Sequence, residues 1–402
     1  MNIIYRFFQK PIFSDKRFIF TIWFSAVFIA ALRHLFKDNN YQIFKYVFYH
    51  TLEQVNLYDY YPDKYFDSNH YGPIFSIIIA PFALLPDIIG IPLWEIAIAA
   101  TLLFAIYKLP VIWKAKVIIY WVAMHEIYVN ATNSQTNTLI AALIIGAFIC
   151  IRSEKDFWGA LFIMLGFFIK LYGIVGLAFF FFSRHKIKLS GYLLLWAVVL
   201  FVLPMLISSP QFIVQSYFDW YESLSSKDMS NTDSLMQNIS AIGMIRKVFG
   251  LFEISNFVIL IPAALLFLVQ YVQVKAYSNI IFQFGVLAST LIFVVLFSTG
   301  SETCTYIIAI TGVAIWFLVQ KRPYNKYILS LFIFTLVLTI CAGSDIAPDF
   351  IRKGFIRPYA LKALPHLIVW LTLVYQLVTF KTEKVDERFS YHYIAEDEKI
   401  KE

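Results

Sequence analysis

The sequence predicts a polytopic α-helical membrane protein, on three observations. Apolar residues make up 60% of the chain and charged residues only 15%, with a mean hydropathy of +0.69. A water-soluble domain sits nearer half apolar and a quarter charged. Apolar stretches of about 20 residues, long enough to cross a bilayer as a helix, recur from end to end. Those runs do not alternate apolar with polar residues, as the strands of a transmembrane β-barrel do.

Each element follows from run length and flanking charge. The basic start, with Arg6, Lys10, Lys16 and Arg17, belongs in the cytoplasm, and a first span covers about 18–35. That run lacks a small-residue cleavage site, so it reads as a retained helix rather than a signal peptide. Residues 37–72 follow outside. Within them Tyr41, Phe44, Phe48, Leu52 and Val55 recur at spacings of three and four, with Gln42, Lys45, His50 and Glu53 on other faces. This predicts an amphipathic helix lying on the membrane surface.

The run "PIFSIIIAPFALLPDIIG" at 73–90 is apolar but broken by Pro73, Pro81 and Pro86. Read as a re-entrant hairpin, it leaves the basic "KLPVIWKAK" inside after the next helix. Residues 117–131 then run outward and 135–151 return to "RSEK" inside. Residues 157–182 are too short for two spans, yet "RSEK" and "SRHKIK" flank them with positive charge. A second hairpin with Lys170 near its tip fits both facts. A span at 189–207 leads to an outer loop at 208–255. Four spans follow near 256–275, 279–298, 303–320 and 326–342, then an outer loop at 343–361 and a last span at 362–380. The sum is about ten crossings and two partial ones. Residues 1–380 form one integral membrane domain without visible repeats, and 381–402 form a charged cytoplasmic tail.

The net charge of +7 invites a nucleic-acid partner, but Lys and Arg cluster in the short inner loops as topology requires. No nucleic acid is implied. Cys150, Cys304 and Cys341 make neither a metal pattern nor a disulfide framework. The sequence carries no Walker loop, H-E-x-x-H, C-x-x-C or Gly-rich dinucleotide fingerprint. No cofactor and no metal ligand set is therefore predicted, although a divalent cation is compatible with the chemistry below.

This topology gathers the polar residues on the non-cytoplasmic side. "DSNHYGPIF" at 67–75 sets Asp67, Asn69, His70 and Tyr71 at the mouth of the first hairpin, and Asp38 shares their loop. A carboxylate at a lipid-level cavity can act as general base, because partial desolvation raises its pKa toward the working pH. The plainer alternative is that outer loops are wet and rich in Asp, and that Tyr and His suit membrane interfaces. Lys170 interrupts "LGFFIKLYGIVGLAFFFF". A cation at mid-membrane costs roughly 2.5–3.5 kcal/mol, so it either meets an anion such as a lipid phosphate or snorkels from the hairpin tip. In "MQNISAIGMIR", Gln237, Asn238 and Ser240 suit sugar hydroxyls and Arg246 suits phosphate, or Asn238 or Ser240 caps a helix. Glu302 in "STGSETCTY" is either a cap or a carboxylate facing the same side as Asp67. Arg357, with Arg352 and Lys353 nearby, binds phosphate or lies against anionic headgroups.

The order of these pieces resembles glycosyltransferase family 87, of the GT-C superfamily, whose named members are polyprenol-phosphate-mannose-dependent mannosyltransferases. The family's D-F-x-V-Y, L-Y and Y-P-P-L-F before "APLALLP" are similar to "NYQIF" at 40–44, "NLYDYYP" at 56–62 and "HYGPIFSIIIAPFALLP" at 70–86. Its G-Q-x-N resembles "SQTN" at 134–137, its I-K-x-Y resembles "IKLY" at 169–172, and its N-Q-S-x-x-G…R resembles "QNISAIGMIR" at 237–246. The resemblance implies transfer of a mannose-like sugar from a polyprenyl-phosphate donor to a glycan or glycolipid acceptor. With the charge-derived topology, which puts both termini in the cytoplasm and the polar clusters outside, it implies a bacterial inner-membrane enzyme among membrane lipids with its active site outside. Together with the residue readings above, it points to substrate contacts at Asn40, Asn69, His70, Tyr71, Gln135, Asn137, Lys170, Gln237, Asn238, Ser240, Arg246 and Arg357. Two departures stand out. Asn40 occupies the position of the family's aspartate base, leaving Asp38, Asp67 or Glu302 for that role, with Asp67 preferred for its place beside His70. The family's S-W-x-H-H is here "SETCTY", where Glu302 stands in for a histidine. A different lipid-linked glycan enzyme (a polymerase or ligase) and a secondary transporter are the alternatives. Transporters place polar groups at midplane between repeated halves, a pattern this chain lacks.

Overall fold

The computed structural model describes residues 10–35, 38–231, 237–343 and 347–381. Arg6 and the tail from 382 onward lie outside the described residues, as do 344–346 of the expected 343–361 loop. Regular structure among the described residues is helical throughout.

The first span is α1 (Lys16–His34), started by the Asp15 carboxylate, which accepts from the Phe18 amide at 2.8 Å. Helix α2 (Asn39–Glu53) is capped the same way by Asp38. Its Tyr41, Phe44 and Phe48 are buried, but against protein: Tyr41 donates to the Phe82 carbonyl at 2.9 Å and Tyr49 to that of Ala83 at 3.0 Å. The surface-lying helix expected here is thus docked, with Leu52 and Val55 left exposed and His50 turned inward rather than outward.

The proline-rich run forms α3 (Phe75–Ala83), then turns at Pro86 into α4 (Asp87–Lys108). Nine residues rise only about 13 Å, too little to cross a bilayer, so α3 is a short helix ahead of α4 rather than a span. Lys45 and Gln42 hold Asp87 at 2.6 and 2.7 Å, fixing α2 against the start of α4. Helices α5 (Trp113–Ala131) and α6 (Asn137–Arg152) follow.

The second hairpin is present. Helix α7 (Asp156–Ile169) returns as a 3₁₀ segment (Leu171–Phe182), with Lys170 in extended backbone between them. Asp156 meets Ser183 at 3.0 Å, and the Cβ that Gly176 lacks would strike Ile163. Gly173 lies so close to the Gly166 backbone that no Cβ fits between the arms.

Helix α8 (Lys186–Val202) leads to α9 (Pro210–Asn231) and α10 (Ala241–Phe249), both inside the stretch expected to be a loop. The remaining helices are α11 (Asn256–Val269), α12 (Ile280–Leu296), α13 (Tyr306–Leu318), α14 (Lys326–Gly343) and α15 (Ala363–Val378). Helices α12 and α13 are buried on nearly all sides and form the centre, as all-round apolar helices must. Helices α8 and α11 stay at the rim, with Leu194 68% and Phe257 64% exposed, a surface suited to lipid.

Among the described residues, four helices are long and apolar enough to cross a membrane: α1, α4, α8 with its extension to Leu206, and α14. Most of the other expected spans appear as shorter apolar helices of 10–17 residues, whereas the one expected at 117–131 is the 19-residue α5, which falls in neither group. Contacts sort the loops into two ends. At one, Arg152 meets Gln283 at 3.1 Å and Asp156 meets Ser183. At the other lie the α5–α6 turn, the Lys170 tip and the loop before α13.

Candidate active site

Five consecutive residues between α5 and α6, "NSQTN" at 133–137, tie this second end together. The Asn133 carbonyl accepts from Asn40 Nδ2 at 2.7 Å. The Ser134 hydroxyl donates to Asp38 Oδ2. Gln135 Oε1 accepts from the Tyr71 hydroxyl at 3.1 Å, and Thr136 Oγ1 donates to that same hydroxyl at 3.1 Å. Asn137 Oδ1 accepts from Lys170 Nζ at 3.4 Å. Asn130 holds the turn from behind, its Nδ2 donating to the Gln135 carbonyl at 2.6 Å. Six of the residues singled out in the sequence thus meet one short peptide or belong to it.

Lys170 sits at the hairpin tip, its ammonium 4.7 Å from the Tyr172 ring centre and 5.9 Å from that of Tyr71. Glu302 is near enough to act on this charge. No carboxylate among the described residues pairs with Lys170. The loop carrying Glu302 is pinned across the tip: Ser298 donates to the Tyr172 hydroxyl at 2.6 Å, and the Ile239 amide donates to the Ser301 carbonyl at 2.7 Å. Glu302 also closes a capping box with Thr305. Glu302 thus caps a short helix and also lies near enough to Lys170 for their charges to interact.

The lip at 67–72 passes over this tip. Gly72 donates to the Ile169 carbonyl at 3.2 Å and lies so near the Phe168 carbonyl that only glycine fits. The Asn69 side chain is buried and closes an Asx turn, accepting from the Tyr71 amide at 3.0 Å. Trp220 of α9 donates to the His70 carbonyl at 2.9 Å. The Ser223 hydroxyl donates to the Asn69 carbonyl at 3.1 Å, which leaves His70 Nδ1 to donate to Ser223 Oγ at 2.7 Å. Burial, helped by the Lys227 charge, lowers the His70 pKa to about 4, so the ring is neutral at pH 7.

The two loop aspartates differ sharply. Asp38 is buried, accepting from the Tyr41 amide at 2.9 Å as well as from Ser134, and burial pushes its pKa upward. Asp67 is half-exposed, has φ +82°, and pairs with Lys227 at 3.3 Å. It lies 4.0 Å from His70 Nε2.

The "QNIS" segment reaches the site only indirectly. Ser240 caps α10, accepting from the Gly243 amide at 3.0 Å, and donates to Asn238 Oδ1 at 2.7 Å. The Gln237 carbonyl accepts from Lys247 at 3.3 Å. Arg246 is buried, one nitrogen donating to the Ile254 carbonyl while Nε and Nη1 find no protein acceptor. Arg357 is half-buried, and nothing links its side chain to Lys170.

Sequence reasoning passed over Glu95, a fully buried α4 carboxylate in the field of Asp38, and a buried pair, Glu126 with Lys362 at 2.8 Å. Ser134 was also passed over, although it stands in the quoted "SQTN".

A search of curated proteins finds no match. A family model does match, glycosyltransferase family 87, over residues 69–342. That stretch holds the lip from Asn69, the 133–137 turn, Lys170, the 237–246 segment and Glu302, whereas Asp38, Asn40, Asp67 and Arg357 fall outside it. The match covers well over half of this integral membrane chain, and the protein belongs to glycosyltransferase family 87.

Proposed function

We propose that this glycosyltransferase moves a mannose-like sugar from a polyprenyl phosphate to a glycan or glycolipid acceptor on the non-cytoplasmic face of a bacterial inner membrane. One observation carries the reading. The Lys170 ammonium stands at the tip of an apolar hairpin, ringed by Tyr71, Tyr172 and Asn137, without a paired carboxylate. A lipid phosphate arriving through the apolar flank would meet that charge as its sugar entered the polar turn at 133–137.

In this scheme a carboxylate takes the acceptor hydroxyl's proton as the oxygen attacks the anomeric carbon. The bond from that carbon to the phosphate oxygen breaks, and polyprenyl phosphate leaves with its charge met by Lys170. A single displacement inverts the anomeric centre. Asp38 suits the base better than Asp67: burial raises its pKa toward the working pH, and the Ser134 contact joins it to the turn that holds Lys170. Arg246, with two unpartnered nitrogens, is a second candidate for an anionic group. Neutralisation by Lys170 calls for no cofactor, and a divalent cation arriving with the donor is compatible with it.

The test is purified protein given a panel of radiolabelled polyprenyl-phosphate sugars and, separately, nucleotide sugars, followed by analysis of the glycolipids and their anomeric configuration. Transfer from nucleotide sugars alone, or retention of configuration, would end this reading.

A further inference from the structure

The Ser298–Tyr172 contact lays the loop carrying Glu302 across the Lys170 tip, and Glu302 is near enough to act on the Lys170 charge, yet the two do not close into an ion pair. Left free, an ammonium and a carboxylate in so enclosed a place should collapse together, since their attraction is weakly screened there. The Glu302 side chain is instead held by its own turn, accepting from the Thr305 amide in the capping box and from the Cys304 thiol at 3.5 Å. That turn is anchored in its place: the Thr303 carbonyl accepts from Lys362 Nζ at 3.0 Å.

Lys362 is itself anchored. Its ammonium donates to Glu126 Oε2 at 2.8 Å, both side chains being only 1% exposed. The other Glu126 oxygen accepts from His125 Nδ1 at 2.9 Å. The Lys362 ammonium also stands 4.9 Å from the Tyr306 ring centre, and the Lys362 carbonyl meets His366 Nδ1 at 3.0 Å. Three segments therefore meet at one nitrogen: α5 through Glu126, the Thr303–Thr305 turn, and the start of α15. A buried ion pair is a poor source of stability, because desolvation offsets most of its attraction. Its use must be sought in what it positions.

We propose that the buried Lys362–Glu126 pair is a strut that, through the Thr303 carbonyl, keeps Glu302 out of contact with Lys170 and so leaves the Lys170 ammonium open to the donor's phosphate. Lys362 and Glu126 are positioning residues, and Glu302 is the group they restrain. The inference rests on the reading of Lys170 as the phosphate contact.

The test measures binding of farnesyl phosphate to the purified full-length protein in detergent. Lys362→Met alone would bury an unpaired carboxylate and strongly destabilise the fold, so the working variant is Lys362→Met with Glu126→Gln, both partners neutral. It should stay folded, judged by its melting curve, and bind farnesyl phosphate about tenfold more weakly, the scale of one charged hydrogen bond. Adding Glu302→Gln removes the charge that collapses onto Lys170 and should restore affinity to within about twofold of wild type. A pair that only braced the fold would show no such rescue. Unchanged affinity in the double variant, or no rescue in the triple, overturns the strut. Lys170→Met separates the two claims: if it weakens binding while the double variant does not, the strut fails and the phosphate reading stands. If Lys170→Met binds normally, both fail.

Discussion

Replacing Asp38 by Asn separates a general base from a helix cap, because the structure gives this side chain both opportunities. As a cap it accepts from the Tyr41 amide, and Asn caps a helix about as well as Asp. The Ser134 hydroxyl can still donate to the amide oxygen, at the cost of a charge-assisted bond becoming a neutral one. Against that loss, the variant no longer keeps a charge out of water. Burial raises the folded pKa above the unfolded value of 3.8, so the native state holds its proton longer. The native carboxyl therefore loses stability as pH rises from the unfolded pKa through the folded one, and Asn is spared this. These terms oppose each other and leave a net change within about 1 kcal/mol. Turnover is another matter. If Asp38 takes the acceptor proton, the Asn variant should lose at least about a hundredfold in kcat with the donor KM nearly unchanged. The control is Asp67→Asn: that side chain is half-exposed and its Lys227 pair is worth about 0–1 kcal/mol. Asn also tolerates the positive φ there. The assay is glycolipid formation from labelled donor, alongside melting curves. Full turnover in Asp38→Asn refutes the assignment; a collapse in Asp67→Asn instead returns the base to the lip, and normal turnover in both points to Glu302.

Three further outcomes are expected. Cysteines introduced at Ser68, Ser230 and Asp349 should react with an impermeant thiol reagent on intact spheroplasts, whereas one at Lys186 should not; labelling at Lys186 would invert the proposed topology. His70 has a folded pKa of about 4 against 6.5 unfolded, so the unfolded chain binds more protons between those values and stability falls as pH drops through that window. His70→Gln should flatten this part of the melting-temperature profile, and an unaltered profile would rule out His70 as its source. Gly173→Ala should force the hairpin arms apart and lower both melting temperature and turnover, since its Cβ would collide with the Gly166 backbone; a wild-type melting curve would contradict the packing.

The sequence revealed those features that differ from their immediate surroundings. Lys170 was legible because one cation in an apolar run is conspicuous, and the basic flanks on both sides of 157–182 implied the hairpin that places it. Helix α9 was not legible. Its polar "DWYESLSSKDMSN" reads as loop when apolar length is the guide, although the helix packs Trp220 and Ser223 against the lip. The Glu126–Lys362 pair joins residues 236 positions apart, each lying near one end of an expected span, and nothing in either neighbourhood points to the other. The number of crossings was harder still. Lengths near 20 residues set the expectation, while α12 and α13 are 17 and 13 residues long and wrapped by other helices.

The turn at 133–137 also sets a ruler. Asp38 is fastened to Ser134 and Lys170 to Asn137, with three peptide links between the two anchor points. Three links span at most about 11 Å, so while both side-chain hydrogen bonds hold, the backbone of the turn limits how far apart carboxylate and ammonium can move. The two groups come from different elements, the cap of α2 and the tip of the second hairpin, which would otherwise shift with the thickness and curvature of the surrounding lipid. Chain length, which no bilayer can stretch, keeps their spacing instead.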